Sequence, residues 1–297
     1  MSIRLHDAEW WHAAGDAAVC DLCPHGCRIA PGRTGRCGVR MNVEGRLVAL
    51  AYGRPAAVHV DPIEKKPLYH FLPGTQTYSL GTLGCNLSCR FCQNYSLATA
   101  VMGLADAEGP ELAPAQIAVE ARRTGCASVA LTYNEPTVWA EYGRDIAVAA
   151  HAAGLKVVSV TNGFIQPAAA EAFYRQIDAA NVDLKAFDDD FYRRLCGARL
   201  QPVLDTLKLL RRLGVWLEVT NLVIPGENDT PAGLRELCRW VAAELGPDTP
   251  LHFSAFFPTH RLTNRPVTPR ATLELAARLA AEAGLRQVHL GNLHLAA

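Results

Sequence analysis

The sequence predicts an α/β fold: a mostly parallel sheet curled into a partial barrel, behind a small cysteine-rich N-terminal module. Three observations lead there. From about residue 77, short apolar runs alternate with segments of helical period, the pattern of parallel strands joined by crossover helices. Seven such runs occur and no dinucleotide-type glycine fingerprint follows the first, which favours a barrel over a doubly wound sheet, the fold-level alternative. Residues 1–76 instead place β-like pieces such as RLVALAYGRPAAVHV (46–60) after a knot of cysteines, and read as a separate module, with the barrel spanning 77–297. One barrel of roughly 200–250 residues plus an appendage accounts for the length.

Strands are expected in order at TYSLGTL (77–83), ASVALTY (127–133), KVVSVTN (156–162), NVDLKAF (181–187), WLEVTNLVI (216–224), LHFSAFF (251–257) and RQVHL (286–290). Between them PAQIAVEARRTG (114–125), VWAEYGRDIAVAAHAAG (138–154), PAAAEAFYRQI (167–177) and VLDTLKLLRRLG (203–214) have helical spacing. Several start at Pro and stop at Gly, as helices do. ADAEGPELAP (105–114) reads as a polar linker, and DPIEKKPLYHFLPG (61–74) as a solvated turn or a flap over an active site.

Composition narrows the partners. Lys plus Arg and Asp plus Glu both number 29, so no net charge draws the chain to nucleic acid or to an anionic membrane. Apolar residues reach 49%, mean hydropathy is near zero, and no run approaches the roughly 18 apolar residues of a membrane span. The first residues, MSIRLHDAEWWHAAGD, lack the basic and apolar regions of an export signal, so a cytoplasmic location is expected. There thiols stay reduced, and grouped cysteines bind metal more often than they form disulfides. Seven of the ten cysteines fall in two groups; Cys126, Cys196 and Cys238 stand alone and read as inert thiols.

The second group, Cys85, Cys89 and Cys92, lies just past the first expected barrel strand, and barrel enzymes work at the C-terminal ends of their strands. Structural zinc wants four protein ligands and catalytic zinc is usually His-rich, so three thiolates fit zinc poorly. They fit a [4Fe–4S] cluster with one iron left open. The first group, Cys20, Cys23, Cys27 and Cys37 with His25 interleaved, can close a tetrahedral zinc site, hold a second iron–sulfur cluster, or consist of inert or regulatory thiols.

Cys85-x-x-x-Cys89-x-x-Cys92, with Phe91 before the last cysteine, resembles the signature of the radical S-adenosylmethionine (SAM) superfamily. The resemblance implies that SAM chelates the open iron and is cleaved reductively to a 5′-deoxyadenosyl radical that abstracts hydrogen. TYNEP (132–136) stands where members have a Gly-Gly-Glu-Pro-like stretch, which implies Glu135, with Asn134 beside it, near the cofactor's amino group; a helix N-cap before Pro136 is the alternative. Thr161, Asn162 and Gly163 resemble a stretch that approaches cofactor or substrate in pyruvate formate-lyase activating enzymes. In that group a pair like Asp183 and Lys185 faces the active site; strand alternation puts both on one face here, as site residues or as a structural ion pair. His252 matches a substrate-proximal His, or is a satisfied core His, and Glu218, Thr220 and Asn221 on the fifth strand are candidates of the same kind.

CDLCPHGCRIAPGRTGRCGVR (20–40), DPIEKKPLYHFLPG (61–74) and GTLGCNLSCRFCQN (81–94), in this order, resemble the AmmeMemoRadiSam system radical SAM proteins over nearly the whole chain. That resemblance implies AMMECR1-like and Memo-like partners and an electron donor such as flavodoxin or ferredoxin. Many members continue past Gly291 and Asn292 into a tail with another cysteine pair, so any role of such a tail is expected to be absent from this sequence. Extra clusters in glycyl-radical activating enzymes follow the radical SAM motif, which favours a structural metal at the upstream cysteines. The expected function is hydrogen abstraction from an unidentified substrate. A glycyl-radical activase acting on a partner's backbone glycine and a non-catalytic metal-binding scaffold are the alternatives.

Overall fold

All seven expected runs form strands of one sheet in the computed structural model, which describes residues 5–293. Short N-terminal strands come first: β1 (Trp11–Ala14), β2 (Ala17–Cys20) and β3 (Arg28–Ile29) make one antiparallel sheet, and β4 (Arg40–Val43) and β5 (Arg46–Ala49) a hairpin. The central sheet follows with β6 (Ala57–Pro62), β7 (Gln76–Gly81), β8 (Ser128–Leu131), β9 (Lys156–Thr161), β10 (Ala179–Asp183), β11 (Trp216–Val223), β12 (Leu251–Ala255) and β13 (Val288–Gly291). From β7 to β13 every neighbour is parallel and spatial order follows chain order. A doubly wound sheet needs a reversal of that order. The winding here has none, and the barrel expectation holds.

Most expected strands run too far at their C-terminal ends. β7 stops at Gly81, β8 at Leu131, β10 at Asp183 and β12 at Ala255. Past those points some backbone groups bond to side chains instead of the next strand: Thr82 N–H donates to Asn134 Oδ1 at 3.0 Å and Lys185 N–H to Tyr192 Oη at 3.0 Å. Sequence alternation continues through these residues, but the ladder does not. The other correction is at the start. β6 pairs antiparallel with β7, so the sheet takes its edge strand from the stretch assigned to the N-terminal module.

Helices cover the sheet: α1 (Tyr95–Ala98), α2 (Pro114–Arg123), α3 (Ala140–Ala152), α4 (Pro167–Tyr174), α5 (Asp189–Phe191), α6 (Gln201–Leu213), α7 (Pro231–Trp240) and α8 (Arg270–Glu282). The expected starts at Pro and stop at Gly214 are realised in α2, α4 and α6. The N-terminal strands are tied to α3 by a buried fork, in which both terminal nitrogens of Arg40 donate to the Glu141 carboxylate at 2.9 Å. Tyr52 Oη donates to Asp145 on the same helix.

The connection from β6 to β7 is not a solvated turn, and its Lys65 and Pro67 reach the cavity described below. Ile63 and Leu68 are buried with Ala130, Val158 and Ala179. Tyr69 and His70 N–H donate to the Glu218 carboxylate of β11 at 3.1 and 2.9 Å, and His70 Nε2 lies 2.8 Å from His289 Nε2 of β13. A segment that starts at one edge of the sheet thus reaches its other edge, which requires the sheet to curl, and it plugs the concave side. Among the described residues no helix is long and apolar enough to cross a membrane. Residues 294–297, where the expectation of an absent cysteine tail falls, lie outside the described residues.

Candidate active site

The loop leaving β7 carries Cys85, Cys89 and Cys92, and Asn134 fixes its root. The Asn134 amide donates to Thr82 Oγ1 and to the carbonyls of Leu83 and Gly84 at 2.9–3.1 Å, while its Oδ1 accepts from Thr82 N–H and Trp139 Nε1. Gly84 has φ +84°, and a Cβ there would lie 2.4 Å from the Cys37 carbonyl. That position therefore demands glycine. Further along, Asn86 donates to Phe164 O at 2.7 Å, and Ser88 and Arg90 N–H donate to the carbonyls of Cys196 and Leu195 at 2.9 Å. Cys196, read as a lone inert thiol, thus belongs to the strut behind the loop.

The three cysteines line one cavity of about 370 Å³, together with Asn134, Glu135, Thr161, Asn162, Asp183, Lys185 and Thr220. Residues at or just past the C-terminal ends of all seven parallel strands meet there. Asn162 Nδ2 donates to Asn86 Oδ1 at 2.9 Å and lies 3.9 Å from Cys85 Sγ. Its backbone N–H donates to Glu135 Oε2 at 2.7 Å. Glu135 Oε1 accepts from Thr137 N–H, Thr137 Oγ1 and Thr161 Oγ1. The N-cap alternative is therefore realised, since Glu135 caps the turn at Pro136–Trp139. Oε2 still has acceptor capacity beyond Asn162. Burial pushes the Glu135 carboxyl above the usual range, against hydrogen bonds that favour its charge.

Tyr133 replaces the glycine of the resembled motif, yet it keeps a left-handed backbone with φ +67°. For a non-glycine residue this costs on the order of 1–2 kcal/mol. Three contacts hold it in place. Tyr133 Oη donates to Asp61 Oδ2 at 2.6 Å, Lys66 Nζ lies 4.6 Å from the ring centroid, and Asn94 donates to the Tyr133 carbonyl at 2.7 Å.

β10 ends at Asp183, so Lys185 lies past the strand, but the pair still forms at 2.9 Å. Burial opposes the Lys185 ammonium; the Asp183 carboxylate and neighbouring thiols outweigh it and hold Lys185 well above the ordinary lysine range. Three expected site residues are not brought to the cavity. The pleat turns Asn221 away from the face that Thr220 presents, and its amide donates to Leu184 O at 2.7 Å. Glu218 and His252 face inward at the plugged end, bonded to each other at 2.7 Å. The sequence reading missed Asn94, Ser254 and Asn292, which line the cavity, while Lys65 comes from the stretch read as a turn or flap. The "GN" closing the last strand was a usable signal for Asn292.

Among the described residues no three His, Cys, Asp or Glu side chains are arranged to hold a single metal ion. A [4Fe–4S] cluster asks for something else, thiolates spread over separate iron corners. Three soft thiols on one cavity wall fit that demand.

A parallel partial barrel with a polar cavity at its strand C-terminal ends defines a barrel enzyme. The sequence profile of the Radical SAM superfamily matches residues 80–241, and the chain belongs to that superfamily, whose members use a [4Fe–4S] cluster and SAM. An uncharacterized protein of Methanocaldococcus jannaschii, MJ0808, is 42% identical over 97% of this chain and 85% of its own. Among solved structures, a radical SAM methyltransferase from Sphaerobacter thermophilus superposes with a TM-score of 0.58 at 16% identity, covering 74% of this chain and 67% of that one. SuiB of Streptococcus suis bound to S-adenosylmethionine gives 0.54 at 17% identity, covering 71% of this chain and 48% of SuiB. These likenesses are of fold.

Proposed function

We propose that Cys85, Cys89 and Cys92 hold the [4Fe–4S] cluster and that the protein uses SAM to abstract hydrogen from a substrate. The single observation that carries the reading is the convergence of these thiols with Glu135, Thr161, Asn162, Asp183 and Lys185 on one cavity. When bound, the cluster and SAM supply reductive cleavage to a 5′-deoxyadenosyl radical. The chain does the rest. Asn134 and Asn86 fix the loop, and Glu135 Oε2 offers its remaining acceptor site to the SAM ammonium. Lys185 retains its proton beside Asp183, and Leu87, Phe91, Val160 and Leu222 give the cavity walls that exclude water.

The ordered motifs at 20–40, 61–74 and 81–94 support placement among the AmmeMemoRadiSam system proteins, in the cytoplasm, with AMMECR1-like and Memo-like partners and a flavodoxin- or ferredoxin-type donor. The anaerobically reconstituted, dithionite-reduced protein should form 5′-deoxyadenosine from SAM, and a Cys85/Cys89/Cys92→Ala variant should not. A fully loaded protein that yields none, with the companions present, sinks the reading. Deuterium passing from a labelled glycyl-radical protein into the product would identify the activase role.

A further inference from the structure

Glycine would be the easy residue at position 133. The backbone there is left-handed, a conformation that glycine adopts freely and other residues only at a cost. A tyrosine stands there instead, and the β6–β7 segment holds it. Asp61 of β6 is buried; its Oδ2 accepts from Tyr133 Oη at 2.6 Å and from Lys66 Nζ at 2.8 Å, and its Oδ1 from Lys65 Nζ at 3.3 Å. Burial opposes charge on Asp61, but these hydrogen bonds outweigh it and hold the carboxyl well below its ordinary range. The phenol therefore bonds to a carboxylate, and such charge-assisted bonds are about twice as strong as neutral ones. Lys66, itself buried, lies 4.6 Å from the ring centroid, and the His59 ring meets it edge-on at 5.7 Å.

The backbone around Tyr133 is fixed as well. Asn94, two residues past Cys92, donates to its carbonyl at 2.7 Å. On the other side Gly81, which ends β7, has no room for a side chain: a Cβ would lie 2.5 Å from the Thr132 carbonyl oxygen and 2.9 Å from Tyr133 Cβ. Next in the chain come Asn134, which roots the cluster loop, and Glu135. The dihedrals of Tyr133 set the direction in which the chain leaves β8, and so where both of those side chains point.

We propose that Asp61, Lys66 and Tyr133 form a clamp that positions Glu135 for the SAM ammonium, which makes the β6–β7 segment part of the active site as well as a plug. All three are positioning residues, acting through the turn that carries Glu135. The inference rests on the function proposed above.

The test is SAM affinity in the anaerobically reconstituted chain, titrated by the change SAM causes in the electron paramagnetic resonance signal of the reduced cluster, for the native protein, Tyr133→Phe and Tyr133→Gly. Phenylalanine keeps the ring and the backbone cost but loses the bond to Asp61, whereas glycine loses the clamp and the cost together. Affinity should fall in the order Tyr, Gly, Phe, with Phe at least about tenfold weaker than Tyr, the effect of one lost hydrogen bond to a charged group, and with cluster iron equal in all three. The order Tyr, Phe, Gly would mean that ring packing alone matters, and it overturns the clamp, as do equal affinities. If the glycine variant holds no iron, Phe against Tyr decides: a tenfold loss supports the clamp and no loss overturns it. A native chain that holds its iron and binds no SAM overturns the proposed function and the clamp with it, an outcome distinct from native binding that the variants leave unchanged.

Discussion

The two ends of the barrel use the same residue types to opposite ends. At the plugged end, Glu218 receives four donors, from Tyr69 N–H, His70 N–H, Trp216 Nε1 and His252 Nε2, and His252 stacks on His289 with ring centroids 4.9 Å apart. Its hydrogen-bonding capacity is spent on the fold. At the open end, Asp183 and Lys185 have each other and stay partly exposed, and Glu135 keeps acceptor capacity. An inward-facing charge is therefore no sign of a site by itself; what matters is whether the fold consumes its partners.

The largest effect expected from that contrast is at Glu218. Glu218→Ala leaves His252 and two backbone N–H groups without their acceptor, and loss of one partner of a buried pair costs about 3–5 kcal/mol. Urea unfolding of the cluster-free chain reads this, with 5′-deoxyadenosine formed per folded molecule unchanged. A loss of turnover without a loss of stability would erase the distinction between the two ends.

Lys185→Met should do the reverse. Turnover should fall by about 10²-fold, the lower range for a positioned proton-bearing group, with stability within about 1 kcal/mol because its partner stays half open to water. A smaller and graded effect comes from pH. Burial, with His252 and His70 nearby, holds His289 below the ordinary histidine value, so the folded state resists a proton that the unfolded chain accepts. Stability from this group is complete above about pH 6.5 and falls as pH drops below it. Burial also opposes charge on Glu218, but its donors keep the carboxyl below its ordinary value, so its contribution is lost at lower pH still, as the folded group protonates. Melting temperatures measured across pH 8 to 4 should decline in that order. The smallest change is Trp216→Phe, which deletes one donor to Glu218 and should cost about 1 kcal/mol.

Much of the fold was legible because its signals are local. Apolar period marked all seven parallel strands, and the spacing of Cys85, Cys89 and Cys92 marked their loop. The pleat separated Thr220 from Asn221 in a way alternation could have told, had the facing direction of β11 been known. Glu218 and His252 misled because nothing in their own strands shows that residues 67–71 fold inward to meet them. Cys196 looked isolated because its partner, Ser88, lies about a hundred residues away.

By itself the sequence determined the strand order, the thiol spacing and the superfamily, since each depends on residues within a few positions of one another. Only the tertiary structure decided which polar residues keep unspent hydrogen-bonding capacity and that the N-terminal cysteines lie against the cavity loop. Both depend on which distant groups come within 3 Å, and that is set by how the sheet curls and what fills it.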